Sequence, residues 1–131
     1  MKSTAFIIFV ALLSHCMYSQ SKGGVEMTFE QEHIVLGSMK KGEKKIFQYV
    51  FKNTGTDTIE IDIVSACECS TLEWTRNPIP PLGKGTIDVI FDSSEKQQSE
   101  TVEVDVILKN IDPKTGYQFF KILAYSFVLT Q

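Results

Sequence analysis

Between residues 25 and 129 apolar and polar side chains alternate, or run apolar for a few positions, and turn formers interrupt them roughly every eight to twelve residues. An extended backbone turns successive side chains to opposite faces, so this pattern restricts the chain to half-buried strands. A surface helix needs apolar residues three and four apart, and no stretch supplies them convincingly. Residues 58–64 alternate most cleanly, with Ile59, Ile61 and Ile63 facing one way and Glu60 and Asp62 the other. Residues 45–52 group Phe47, Tyr49 and Phe51, residues 85–91 group Ile87, Val89 and Phe91, and residues 101–109 group Val102, Val104, Val106 and Leu108. Shorter strands are expected at 25–29 and at 33–36, the second ended by Gly37, and the longest at 117–129.

The intervening segments read as connections. Residues 40–43 form a turn around Gly42, and residues 110–116 another around Pro113 and Gly116. Asn53-Thr54-Gly55-Thr56-Asp57 is a strong turn signal because Asn and Gly accept positive φ. Pro78, Pro80 and Pro81 remove ladder donors from residues 77–83, which are expected to form a loop crossing between sheets. The polar residues 92–100 are expected to form a hairpin or a short helical turn. About seven strands without a helix predict an all-β fold, an immunoglobulin-like antiparallel β-sandwich.

Length allows one domain with a core large enough to fold without staples, since the chain has 131 residues and is 43% hydrophobic. The N-terminus reads as an export signal: Lys2 supplies a positive start, and residues 5–13 are an apolar run too short to span a bilayer. Polar residues follow from Ser19, and Ser19-Gln20-Ser21 offers a cleavage pattern, so residues 1–21 are expected to be removed and 22–131 to form the single domain. The expected location is the periplasm or the cell surface. Leu13-Ser14-His15-Cys16 has the outline of a bacterial lipidation site, with His15 where a small residue is usual; otherwise Cys16 leaves with the signal. No later segment is long and apolar enough to span a membrane. Net charge is −3, and loss of Lys2 makes it −4, which argues against nucleic acid and anionic membrane surfaces.

The chemistry-bearing stretch is Ala66-Cys67-Glu68-Cys69-Ser70, followed by Trp74, the chain's one tryptophan. Four states of Cys67 and Cys69 compete. A disulfide between them requires the chain to turn, because an extended strand sets Cα atoms two residues apart at roughly 6.6 Å with parallel Cβ vectors. Alternatively they are buried thiols acting as small hydrophobes. Two thiolates alone suit Cu(I), whereas zinc needs further ligands that the chain past the signal, with His33 as its one histidine, does not offer nearby. Finally, they can exchange with a partner thiol, although Cys-x-Cys without a helix is a weaker redox signal than Cys-x-x-Cys. Trp74 is expected to pack in or over the core. His33 is expected at a strand end, with no nucleophile to serve. The last strand, loaded on both faces by Phe119, Phe120, Ile122, Leu123, Tyr125, Phe127, Val128 and Leu129, is expected to be central, the alternative being an edge open to β-addition.

The order of these features resembles a family of bacterial exported proteins known as domain of unknown function 1573, related to the immunoglobulin-like modules of abnormal-spindle and hydin proteins. The matching residues are Gly37, Gly42, Phe51-Lys52-Asn53-Thr54-Gly55, Ile59-Glu60-Ile61, Cys67-Glu68-Cys69-Ser70, Trp74, Pro78-Ile79-Pro80 and Val89-Ile90-Phe91-Asp92. Three departures stand out: Glu68 replaces the family glycine, Ser70 replaces a threonine, and Lys96-Gln97-Gln98 lacks the usual glycine. The resemblance implies export and an immunoglobulin-like fold, and implies no activity. The expected function is therefore a non-catalytic binding or structural module of the bacterial envelope, with no cofactor and with another envelope protein as partner. The alternative is an envelope thiol protein, redox-active or Cu(I)-binding, that uses Cys67 and Cys69.

Overall fold

The alternating segments pair into two four-stranded sheets in the computed structural model, which describes residues 23–131. In chain order the strands are β1 (Met27–Phe29), β2 (His33–Lys40), β3 (Lys44–Asn53), β4 (Ile61–Ser65), β5 (Ser70–Trp74), β6 (Lys84–Asp92), β7 (Glu100–Ile111) and β8 (Gln118–Thr130). One sheet runs β1-β3-β6-β5 and the other β2-β8-β7-β4. Their inward residues close one core, with Tyr49, Phe51, Ile87, Val89 and Phe91 meeting Val104, Val106, Leu123, Tyr125 and Phe127. This is the expected immunoglobulin-like sandwich. No helix among the described residues is long and apolar enough to cross a membrane. The predicted signal segment and Cys16 lie outside the described residues.

Two features of the sheets depart from expectation. There are eight strands, and the additional one is β5, a five-residue stretch squeezed between the cysteine turn and the prolines. The second sheet is mixed, because β2 pairs parallel to β8 while the other pairings are antiparallel. β2 also runs on past Gly37 instead of ending there. That glycine takes φ +77°, and the β2–β8 register shifts between Val35 and Ser38, so the strand absorbs a bulge and continues to Lys40.

The isoleucine parity of residues 58–64 is also broken. Ile61 pairs with Leu108, but Ile63 pairs with Ile107, so β4 carries an extra residue at this point. The bulge turns Ile63 outward and brings Val64 into the core beside Ile59 and Ile61. Periodicity alone does not reveal a bulge, because the pattern reads identically until the register slips.

Three connections are corrected as well. The proline-rich residues 77–83 do not cross between sheets, because β5 and β6 are antiparallel neighbours. Within this loop Ile79 forms an isolated bridge with Ile59, filling the core edge where a strand cannot continue. The polar residues after β6 are neither hairpin nor helix: they carry the chain from the first sheet to the second, anchored by buried Ser93. The Ser93 hydroxyl lies 2.8 Å from Glu43 O and 3.1 Å from Lys40 O, and accepts from Gly42 N–H. In the Asn53–Asp57 turn, neither Asn53 nor Gly55 has positive φ. Gly55 is needed for close approach, since a Cβ there would sit 2.2 Å from Gly24 O. Asn53 is fully buried; its amide donates to Asp57 O and Ile79 O and accepts from Gly55 N–H.

Candidate functional site

Between β4 and β5 the chain passes from one sheet to the other, and Cys67, Glu68 and Cys69 make that corner. Ser70 N–H donates to Cys67 O at 3.0 Å, closing the turn, and Asp92 N–H donates to Cys69 O at 2.9 Å, tying it to the end of β6. The turn brings the two Cα atoms to 5.1 Å, and the sulfurs are joined in a disulfide. Glu68, which stands where the resembled family has glycine, does not take positive φ and is exposed at the tip, so this backbone does not require glycine there.

Two hydroxyls face the sulfurs. Ser70 Oγ lies 3.4 Å from Cys67 Sγ and 3.9 Å from Cys69 Sγ. Tyr125 Oη lies 3.6 Å and 3.7 Å from the same atoms, and 2.5 Å from Ser70 Oγ. The Tyr125 ring is held between Phe47 and Phe91, with centroids 5.0 and 5.2 Å away. Burial pushes its phenol above the ordinary value of 10.0; the Ser70 hydrogen bond opposes this and the Glu100 charge adds to it. Tyr125 therefore keeps its proton at neutral pH and remains a donor. Tyr49, one layer away, donates to Ala124 O at 2.5 Å; burial first, and Tyr125 second, push its phenol up as well. Asp92 is held below the usual carboxylate range by the Ser94 hydroxyl and amide, with Lys44 adding to the effect.

Both cysteines are half-buried: they pack against the core on one side and stay reachable at the rim. Chemically this is a disulfide with a polar inner wall and an open outer side. The other predicted residues are placed elsewhere. His33 is exposed on the outer face of its sheet, with Nε2 2.9 Å from Ser126 Oγ, whereas the adjoining Tyr125 points inward. Trp74 packs half-buried against the core, and the Arg76 guanidinium covers its ring at 3.7 Å. Among the described residues no group of three or more His, Cys, Asp or Glu side chains is gathered in metal-binding geometry. The sequence reading missed Ser70 and Tyr125 as neighbours of the sulfurs. Tyr125 sits in phase with Leu123 and Phe127, so an inward phenol was legible, but its meeting with Cys67 spans 58 residues of chain.

A second surface feature lies on the outer face of the β4-β7-β8 strands. β8 is central, but only its inner face is covered. Register places Ile63, Ile107 and Phe120 in one row across three strands. Ile63 is 47% exposed, Phe120 68% and Ile122 48%, with Tyr117 beside them at 77%. Ile107, Tyr117, Phe120 and Ile122, with Asp105 and Gln118, line a shallow groove. Ile63 adjoins it through its pairing with Ile107, Asp62 accepts from Gln118 Nε2 at 2.9 Å, and exposed Glu103 lies two residues before Asp105 on β7.

Solved structures share this fold at low identity. A protein of unknown function from Porphyromonas gingivalis W83 superposes with TM-score 0.65 and 17% identity, over 88% of this chain and 51% of that one. This chain thus spans about half the length of the Porphyromonas protein. The VesB protease of Vibrio cholerae gives TM-score 0.62 and 10% identity, over 78% of this chain and 31% of that one. The ASH/PapD-like domain 7 of human CEP192 gives TM-score 0.60 and 11% identity, over 91% of this chain and 96% of the domain. No curated protein matches the sequence. Residues 27–121 match the family described as "Protein of unknown function (DUF1573)", and the chain belongs to that family.

Proposed function

We propose that this chain is an exported, non-catalytic immunoglobulin-like module of the bacterial envelope that works by binding another envelope protein. The observation that carries the binding role is the outer face of β4, β7 and β8. A solvated sheet face ordinarily alternates to polar residues, yet here Ile63, Ile107, Phe120 and Ile122 form an unbroken apolar area with aromatic Tyr117 at its end. Aromatic and aliphatic anchors inside a polar rim are the usual make-up of a binding patch. Asp62, Glu103 and Asp105 supply acidic charge in or beside this area. Charge complementarity therefore selects a protein surface with an apolar centre and lysine or arginine around it. The export signal read in residues 1–21 supports the envelope setting.

A photoreactive amino acid at position 120, introduced in the native cell, is expected to give one discrete adduct with another envelope protein. Asp105→Lys is expected to weaken that adduct. The same probe at Ile46, 80% exposed on the opposite sheet, is the control. Equal labelling at both positions, or none at position 120, overturns the binding face. The intact mass of the protein recovered from cells tests export: cleavage near residues 19–21 supports it, and an uncleaved N-terminus removes it.

A further inference from the structure

We propose that the Cys67–Cys69 disulfide is a thiol–disulfide exchange site for a protein dithiol, with Cys69 sulfur attacked and Cys67 sulfur leaving toward the Ser70 and Tyr125 hydroxyls. This goes beyond the binding role and does not depend on it. A disulfide sulfur is a weak acceptor and gains little from a hydroxyl donor, whereas a thiolate gains much from the same donor. Two hydroxyls set against one disulfide therefore stabilise the state in which the bond has opened. That is differential stabilisation of the reacting state over the ground state.

The distances assign the direction. Ser70 Oγ is 3.4 Å from Cys67 Sγ but 3.9 Å from Cys69 Sγ, while Tyr125 Oη, at 3.6 and 3.7 Å, stands about equally near both, so Ser70 sets the direction. The 2.5 Å contact between the two oxygens allows Tyr125 to donate to Ser70 while Ser70 donates to Cys67. Tyr125 is fully buried among aromatic rings, so water does not compete for the inner donor. The corner itself is outside the strands, half-exposed, and tipped by exposed Glu68, so a partner thiol reaches it without opening a sheet.

The step balances with the dithiol as reductant. Its first thiolate forms a bond to Cys69 Sγ; the Cys67–Cys69 bond breaks, and Cys67 Sγ carries off the electron pair. The second thiolate then attacks the mixed disulfide, releasing Cys69 as a thiolate. The partner is left oxidised by two electrons, and Cys67 and Cys69 end as thiols after taking up the two protons the dithiol gave up.

The full chain, oxidised, is treated with dithiothreitol at neutral pH, quenched with acid, and its free thiols are counted by mass after alkylation. Reduction is expected to be reversible, and the circular dichroism of the fold is expected to persist in the reduced protein. Ser70→Ala is expected to slow reduction roughly tenfold, because the lost donor acts on the developing Cys67 thiolate. Tyr125→Phe is expected to act in the same direction. Briefly exposing the wild type to glutathione should place the adduct on Cys69. The proposal is overturned by wild-type rates in Ser70→Ala, by an adduct on Cys67, or by reduction that proceeds only as the domain unfolds. If Tyr125→Phe fails to fold, Ser70→Ala, on the half-exposed edge strand, decides alone.

Discussion

Two of the corners that carry the chain between the sheets, one after β3 and one after β4, are built by opposite means. At Asn53–Asp57 the side-chain amide satisfies three backbone groups, and Gly55 lets the chain lie directly against Gly24. At Cys67–Ser70 a covalent bond closes the turn, and the polar side chains face the sulfurs instead of the backbone. In the first corner Asn53 and Gly55 are buried beneath exposed Thr56 and Asp57; in the second the sulfurs are half-exposed. A buried amide with its donors and acceptor used has little spare bonding capacity, so it works as scaffold. An open corner with donors aimed at a reactive bond retains capacity that the fold does not use. The largest structural penalties should therefore fall at the asparagine corner, and the chemical ones at the cysteine corner.

Asn53→Ala tests this contrast most severely. It removes the partner of buried Gly55 N–H and of half-buried Asp57 O, and one of two donors to Ile79 O, which keeps its bond from Ile59 N–H. Each buried group left unpaired costs on the order of 1–3 kcal/mol. Allowing for relaxation, a loss of about 3 kcal/mol is expected by chemical denaturation. A loss under about 1 kcal/mol would mean that the amide is incidental and that the contrast fails. Gly55→Ala comes next. Its Cβ would meet Gly24 O at 2.2 Å and Glu26 N at 2.7 Å, both backbone atoms that cannot rotate away. The segment leading into β1 must shift, weakening the bonds that Thr56 and Asp57 donate to Gly24 O, and a cost of about 2 kcal/mol is expected from the same measurement.

The paired variant Cys67→Ser with Cys69→Ser should cost less. A bridge between residues two apart closes a very short loop, and the chain-entropy relation gives about 1.5 kcal/mol for it. The double variant should fold, keep its core, and lose all exchange with dithiols. If it is less stable than Asn53→Ala, the roles assigned to the two corners are reversed.

Sequence alone reached the sandwich because long strands such as β3, β6 and β7 keep their phase from end to end, so alternation maps directly onto burial. It failed where phase is interrupted. The extra residue in β4 sends Ile63 outward and Val64 inward, and nothing in a run of alternating isoleucines announces it. β5 was missed because five residues between a turn and three prolines give too little period to read. The cysteine corner was legible as a place but not as a site. Ser70 adjoins Cys69 in sequence, but Tyr125 arrives from β8 only through tertiary packing.

Tyr125 also yields the prediction with the smallest effect under ordinary conditions. Burial raises its phenol, as it raises that of Tyr49, above the value of 10.0 that both have in the unfolded chain. Above pH 10 the unfolded chain releases these protons first, so it binds fewer protons than the folded state, and stability falls as pH rises. Below pH 10 both states are protonated, and the two phenols contribute no pH dependence. Wild type and Tyr125→Phe should therefore differ by a constant amount between pH 7 and 9, measured by denaturant midpoint. Above pH 10 the wild type should lose stability more steeply than the variant, with Tyr49 accounting for what remains. Parallel curves through that range would mean that the Tyr125 hydroxyl is hydrated at the open corner, and would remove the dry inner donor on which the Cys67 thiolate depends.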